Sequence, residues 1–202
     1  MQHSAIILCG GLSTRMGRDK ATLPFGSETM LQRVVRLVSE AVPPERVVCV
    51  AAPGQSLPPL LATIQVVRDT APHLGPLAGL ATGLAALQGR AQAVFVAGCD
   101  LPLLVPAVVA RMFERLGDHQ IVAPHDGERW HPLVAVYRTD VLPQLESLLA
   151  TGERSLIALI ERCNVRRVSL DEIREVDVEL DSLRTCNTPE EYRLVVDHTG
   201  GK

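Results

Sequence analysis

The stretch SAIILCGGLSTRMGRDK, residues 4–20, passes from an apolar segment through two adjacent glycines into a polar, basic loop. Ser4 to Cys9 reads as a β-strand, because a nearly unbroken apolar run is what a strand covered on both faces shows. Gly10 and Gly11 would let the backbone approach a ligand closely and turn several N–H groups toward it, while Arg15 and Lys20 bring positive charge. On composition alone the loop reads equally as a Gly-Gly turn with solvated basic side chains or as a phosphate cradle. It matches neither the Walker A pattern nor G-x-G-x-x-G.

The strand pattern recurs at VVCVA (47–51), TIQVV (63–67), AVFVAG (93–98), QIVAP (120–124) and LVAVY (133–137). Between these runs lie helical patterns at 29–42, where Leu31, Val35, Val38 and Val42 share one face, and at 77–88 and 106–117. This alternation predicts a three-layer α/β fold with a mainly parallel sheet. The C-terminal part predicts two helices broken at Thr151-Gly152, a strand in VRRVSL and a last helix. In that helix Pro189 stands in the first turn and Thr188-x-x-Glu191 forms a capping box. No linker divides the chain, so residues 1–197 are expected to form a single domain, with 198–202 as a frayed tail.

Composition narrows the classes. The chain is 47% hydrophobic, enough for a sizeable core, and only 3% aromatic, so that core is aliphatic. A net charge of −3 without a basic block argues against nucleic acid as a partner. The five cysteines are scattered without a C-x-x-C pair, which predicts reduced thiols and a cytoplasmic protein. No apolar run is long enough to span a membrane, and no secretory leader pattern precedes the first strand.

In a parallel sheet, ligands bind beyond the carboxyl ends of the strands. Three polar segments follow such ends here, at residues 10–20, 69–79 and 98–102, and are expected on one edge. Asp100, in AGCDLP, is placed either to hold Mg²⁺ together with phosphate oxygens or to cap a turn, and Asp69 has the same two readings. Gly79 in GPLAGL suits close packing of a helix. His125 and His131 lack ligands at metal-binding spacing, and no nucleophile-and-base signature is present.

Taken together, these segments resemble the molybdenum cofactor guanylyltransferases of the MobA-like nucleotidyltransferase family. LCGGLSTRMGRDK follows that family's L-x-G-G-x-S-x-R-M-G-x-D-K signature. VVRD (66–69), GPLAGL (75–80), CDLP (99–102), HDGERWHPLVAVY (125–137) and NTPEE (187–191) follow in the family's order over essentially the whole chain. The resemblance implies a Rossmann-like, nucleotide-diphospho-sugar transferase-like sandwich. It also implies Mg²⁺-dependent transfer of GMP from GTP to molybdopterin, or to Mo-molybdopterin, with release of pyrophosphate. It places Leu8, Cys9, Gly10, Gly11, Lys20, Asp69 and Asp100 at the nucleotide, Arg15, Lys20 and Asp100 in catalysis, and Asp100 on the metal. His125–Pro132 and Arg154 become candidates for the pterin. The receiving molybdoenzyme or cofactor-insertion protein is left open.

Three departures stand out. Cys9 replaces a usual Ala, Val50-Ala51-Ala52 stands where relatives often carry an Asn near the nucleotide, and Thr185 replaces the first Asn of N-x-N-T-P. Asn187 and Thr188 therefore read as a helix cap or as ligand contacts. The rival readings are a cytidylyltransferase acting on the same pterin and a binding module of the same fold without turnover. Intact Lys20 and Asp100 speak against the module.

Overall fold

The computed structural model describes residues 3–10, 19–71 and 74–200, with side chains to 197. Gly11 and Arg15 lie outside the described residues. Among the described residues the strands are β1 (His3–Leu8), β2 (Pro24–Phe25), β3 (Glu28–Thr29), β4 (Val47–Ala51), β5 (Gln65–Arg68), β6 (Ala93–Gly98), β7 (Ile121–Pro124), β8 (Val134–Arg138) and β9 (Val165–Val168). The α-helices are α1 (Met30–Ser39), α2 (Pro76–Ala86), α3 (Pro106–Glu114), α4 (Leu142–Ala150), α5 (Leu156–Ile160), α6 (Leu170–Arg174) and α7 (Pro189–Gly200).

Seven strands form one sheet in the order β5-β4-β1-β6-β8-β7-β9, and β2 pairs with β3 in a separate hairpin. β5, β4, β1 and β6 are mutually parallel, β8 runs against both β6 and β7, and β9 is parallel to β7. The mainly parallel α/β sheet is thus as expected, with β8 as the reversed strand. The chain winds outward from β1 through β4 to β5, then returns to β6 on the other side, which makes the β1/β6 boundary the switch point.

Alternation along each strand divides the core. Ala5 and Ile7 face the α1 and α3 side with Leu31, Val34, Val38, Val108 and Met112. Ile6 and Leu8 face the α2 and α4 side with Leu77, Leu80, Leu84 and Leu145. Because both faces are covered, the central strands are apolar at nearly every position, and burying each such branched side chain contributes about 1.5–3 kcal/mol.

The expected elements recur with shifted ends. β5 starts at Gln65 rather than at residue 63, and α7 runs to Gly200, into the segment expected to fray. The strand expected over VRRVSL stops at Val168, because Ser169 and Glu172 form a capping box that starts α6. No helix among the described residues is long and apolar enough to cross a membrane.

Candidate functional site

Strand register builds the site. Leu8 lies beside Val50 on one side and Gly98 on the other, so β1, β4 and β6 end level. The ladder continues one step further, with the Cys9 amide donating to Val50 O at 2.8 Å and the Cys99 amide to Leu8 O at 3.0 Å. The Asp69 amide likewise donates to Ala51 O, at 2.9 Å. The loops leaving these strands open onto one cavity of about 380 Å³, whose wall includes the Leu8–Gly10 stretch, Lys20, Asp69 and Asp100. Every described residue assigned to the nucleotide from sequence is therefore in this wall.

Lys20 and Asp100 meet in this wall. Lys20 Nζ is 3.1 Å from Asp100 Oδ2, and both side chains are mostly buried. Lys20 Nζ also donates to Asn187 Oδ1 at 2.6 Å. Asp19 places the lysine: its Oδ1 accepts the Ala21 N–H at 3.0 Å, capping the short 3₁₀ turn Lys20–Thr22. Asp100 Oδ1 is buried and has no hydrogen-bond donor among the described residues. A Cβ on Gly98 would come within 2.3 Å of that oxygen, so glycine is required beside the carboxylate. This orphaned, hard oxygen suits Mg²⁺, which binds one or two carboxylates and completes its shell with phosphate and water. No cluster of three His, Cys, Asp or Glu that could hold a metal occurs among the described residues, so the protein itself offers a sparse ligand set.

Asp69 accepts a hydrogen bond from Thr82 Oγ1 at 2.8 Å. Burial raises its carboxyl above the usual aspartate range, and the Thr82 bond opposes the rise. α2 starts at the cavity wall. Gly75, at φ +84°, makes the turn that Pro76 follows at the first helical position. Pro76 has no N–H and the Leu77 amide donates to Arg154 O at 3.2 Å, so the attraction this helix start offers a negative charge rests on its dipole. Gly79 and Gly83 face Leu8 and Ile6 of β1 at distances that leave no room for larger residues without movement, which draws α2 onto the sheet.

The two readings of Asn187-Thr188 separate. Thr188 and Glu191 form the expected capping box, with the Glu191 amide donating to Thr188 Oγ1 at 3.2 Å and the Thr188 amide to Glu191 Oε2 at 3.1 Å. The Asn187 side chain instead turns into the site, accepting from Lys20 and donating to Thr185 Oγ1 at 2.7 Å. Arg154 lines the main cavity, with its Cβ against Gly75. His125–Pro132 does not reach it. Arg129 to Pro132 line a smaller cavity of about 210 Å³, and Leu133 belongs to both walls.

Cys9 is a buried thiol, pushed up by a hydrogen bond with Cys49 and by burial, and burial likewise raises Cys99; both stay neutral packing groups. Val50 is 2% exposed and belongs to the core, so the position that faces the cavity after β4 is Ala52. Gln55 was not singled out from sequence. Its side chain bonds Asp19, Cys9 and Ala52, and the Pro53-Gly54 turn signal beside a strand end was the available clue.

Comparison with known proteins gives the chain a family and a fold. Residues 5–168 match the family model described as "MobA-like NTP transferase domain". A Mycobacterium tuberculosis protein named "Probable molybdenum cofactor guanylyltransferase" is 38% identical over 176 residues, 85% of each chain. A Mycobacterium avium protein of the same name is 39% identical over 189 residues, 90% of this chain and 93% of that one. Among solved structures, molybdopterin-guanine dinucleotide biosynthesis protein A from Archaeoglobus fulgidus superposes with a TM-score of 0.79 at 22% identity, covering 98% of this chain and all of that one. The 2-C-methyl-D-erythritol 4-phosphate cytidylyltransferase from Thermus thermophilus gives a TM-score of 0.72 at 16% identity, covering 98% of this chain and 99% of that one. These two likenesses define the fold, that of the nucleotide-diphospho-sugar transferases.

Proposed function

Because the chain belongs to the MobA-like NTP transferase family, we propose that it transfers GMP from GTP to the phosphate of molybdopterin, releasing pyrophosphate. The observation that carries the reading is the Lys20–Asp100 pair at the level ends of β1 and β6, in a cavity that the start of α2 also borders. A phosphate oxygen of the acceptor attacks the α-phosphorus as the bond to pyrophosphate breaks, and the electron pair leaves with pyrophosphate. That oxygen is already anionic near neutral pH, so the chain need not remove a proton. It supplies position and charge. Lys20 balances the negative charge on the triphosphate, the Leu8–Gly10 backbone and the α2 start hold it, and Asp69 contacts the nucleotide. Asp100 would hold Mg²⁺, which when bound neutralises charge on the phosphate oxygens. Guanine rests on the names of the relatives. Ala52 presents only a methyl group to the cavity where relatives often carry an amide, and the loss of that polar contact keeps CTP as the second reading.

Purified protein incubated with Mg²⁺, molybdopterin and each nucleoside triphosphate in turn should release pyrophosphate with GTP. Release with CTP alone selects the second reading, and none with any triphosphate overturns nucleotidyl transfer. Asp100→Ala should lower turnover by roughly 10²–10³-fold while the chain stays folded; near-normal activity would remove the carboxylate from the reaction.

A further inference from the structure

We propose that Gln55 is a positioning residue of this site: its side-chain amide fastens the end of β1 to Asp19 and so sets where Lys20 stands. Only the effect on GTP binding rests on the nucleotidyl-transfer reading.

The chain builds the device immediately after β4. The Gln55 amide N–H donates to Ala52 O at 3.2 Å, closing a turn with Pro53 at its second position and Gly54 at its third. Gly54 has φ +72°, the left-handed conformation that a type II turn demands there. One nitrogen of Arg68 then donates to Ala52 O and Gln55 O, both at 2.9 Å, which ties the turn to the end of β5. From this fixed base the Gln55 side chain reaches back. Its Oε1 accepts the Ala52 N–H at 2.9 Å, and its Nε2 donates to Cys9 O at 3.0 Å and to Asp19 Oδ2 at 2.8 Å.

Both amide hydrogens are thus committed to acceptors on either side of the glycine-rich segment. The orientation is determined by the partners: a flipped amide would set NH₂ against an N–H and its oxygen against a carbonyl and a carboxylate. Lysine and arginine cannot accept, and serine or threonine has one hydrogen to give. Asparagine is a methylene shorter. Asp19, held by Gln55 through Oδ2, uses Oδ1 to cap the Lys20–Thr22 turn, and Lys20 reaches Asp100 and Asn187 from that turn. The path from Gln55 to Asp100 is therefore one hydrogen bond, one cap and one ion pair.

Gln55→Met keeps the bulk and removes the bonds, and Gln55→Glu places a second carboxyl beside Asp19. Hydrogen exchange at the Ala52 amide, which loses its acceptor, should quicken roughly tenfold or more in Gln55→Met, one lost hydrogen bond being worth about that factor, and exchange at Ala21 should quicken as Asp19 is released. Exchange at Phe95 in β6 should stay unchanged. Affinity for Mg·GTP should fall by about the same factor. In Gln55→Glu the neighbouring carboxylate raises the new acid, so lowering the pH from about 8 toward about 5 adds a proton and restores a donor. Its GTP affinity relative to wild type should then recover as the pH falls, which lost packing alone would not do. Unchanged exchange at Ala21 in both variants, or equal quickening at Phe95, overturns the proposal. If wild type binds no GTP while Ala21 still exchanges faster in Gln55→Met, the nucleotide reading fails and the clasp stands.

Discussion

Asp69 accepts from Thr82 at the cavity wall, and burial raises its carboxyl while that bond opposes the rise. An acid raised in the folded state lends stability below its unfolded value, near about 3.9, and gives it up as pH climbs through the folded value. At neutral pH the ionised, half-buried carboxylate is therefore a burden on the fold. Asp69→Asn keeps an acceptor for Thr82 and removes the charge. It should melt higher than wild type at about pH 7, with the gap closing below about pH 4, while binding GTP more weakly. Melting curves across that range check the sign; a gap that widens on acidification would contradict it. Asp69 and Asp100 were legible because a polar residue just past an apolar strand marks the sheet's edge, and Lys20 because it closes the basic, glycine-bearing loop after β1. Asn187 was not separable from its cap, since N-T-P-E-E serves both and only the side-chain direction divides them. Gln55 was hidden because its partners are a backbone carbonyl, a backbone amide and a carboxylate distant in sequence.

At the scale of elements, α2 shows how a helix is held where its first turn can meet an anion. A Cβ on Gly83 would lie 2.7–2.9 Å from three carbons of Ile6, a fully buried β-branched residue on the central strand. Alanine would gain about 1 kcal/mol of helix propensity, but overpacking against a side chain that cannot turn aside costs about 1–3 kcal/mol. Gly83→Ala should therefore destabilise by up to about 2 kcal/mol in urea unfolding and weaken GTP binding as the first turn shifts. A stabilised variant would show that Ile6 yields. Gly79→Ala serves as a contrast, because its nearest neighbour is the terminal Cδ2 of Leu8 at 3.0 Å, a flexible end. The reversal of β8 escaped the sequence reading because VAVY is apolar in either direction. Its clue was the short connection between Pro124 and Val134, too brief for a parallel crossover with a helix. α6 was likewise announced only by Ser169-x-x-Glu172, on a helix of a single turn and a half.

Across the whole molecule, a net charge of −3 gives a triphosphate no overall attraction, so affinity must come from the local charges at the switch point. Lys20 and Asp100 follow β1 and β6, strands at the middle of the sheet, and a bound nucleotide should resist unfolding of the entire core. At about a hundred times its dissociation constant, Mg·GTP should raise Tm by about 5–10 °C for a chain of this size. Removing Mg²⁺ with EDTA should shrink the shift in wild type, since the Asp100 carboxylate then faces the phosphates with only Lys20 to offset it. In Asp100→Ala that repulsion is gone, so EDTA should change the shift little. Equal sensitivity to EDTA in both proteins would mean that the metal acts on the nucleotide without Asp100, and Lys20 would then be the principal charge the chain brings to the triphosphate among the described residues.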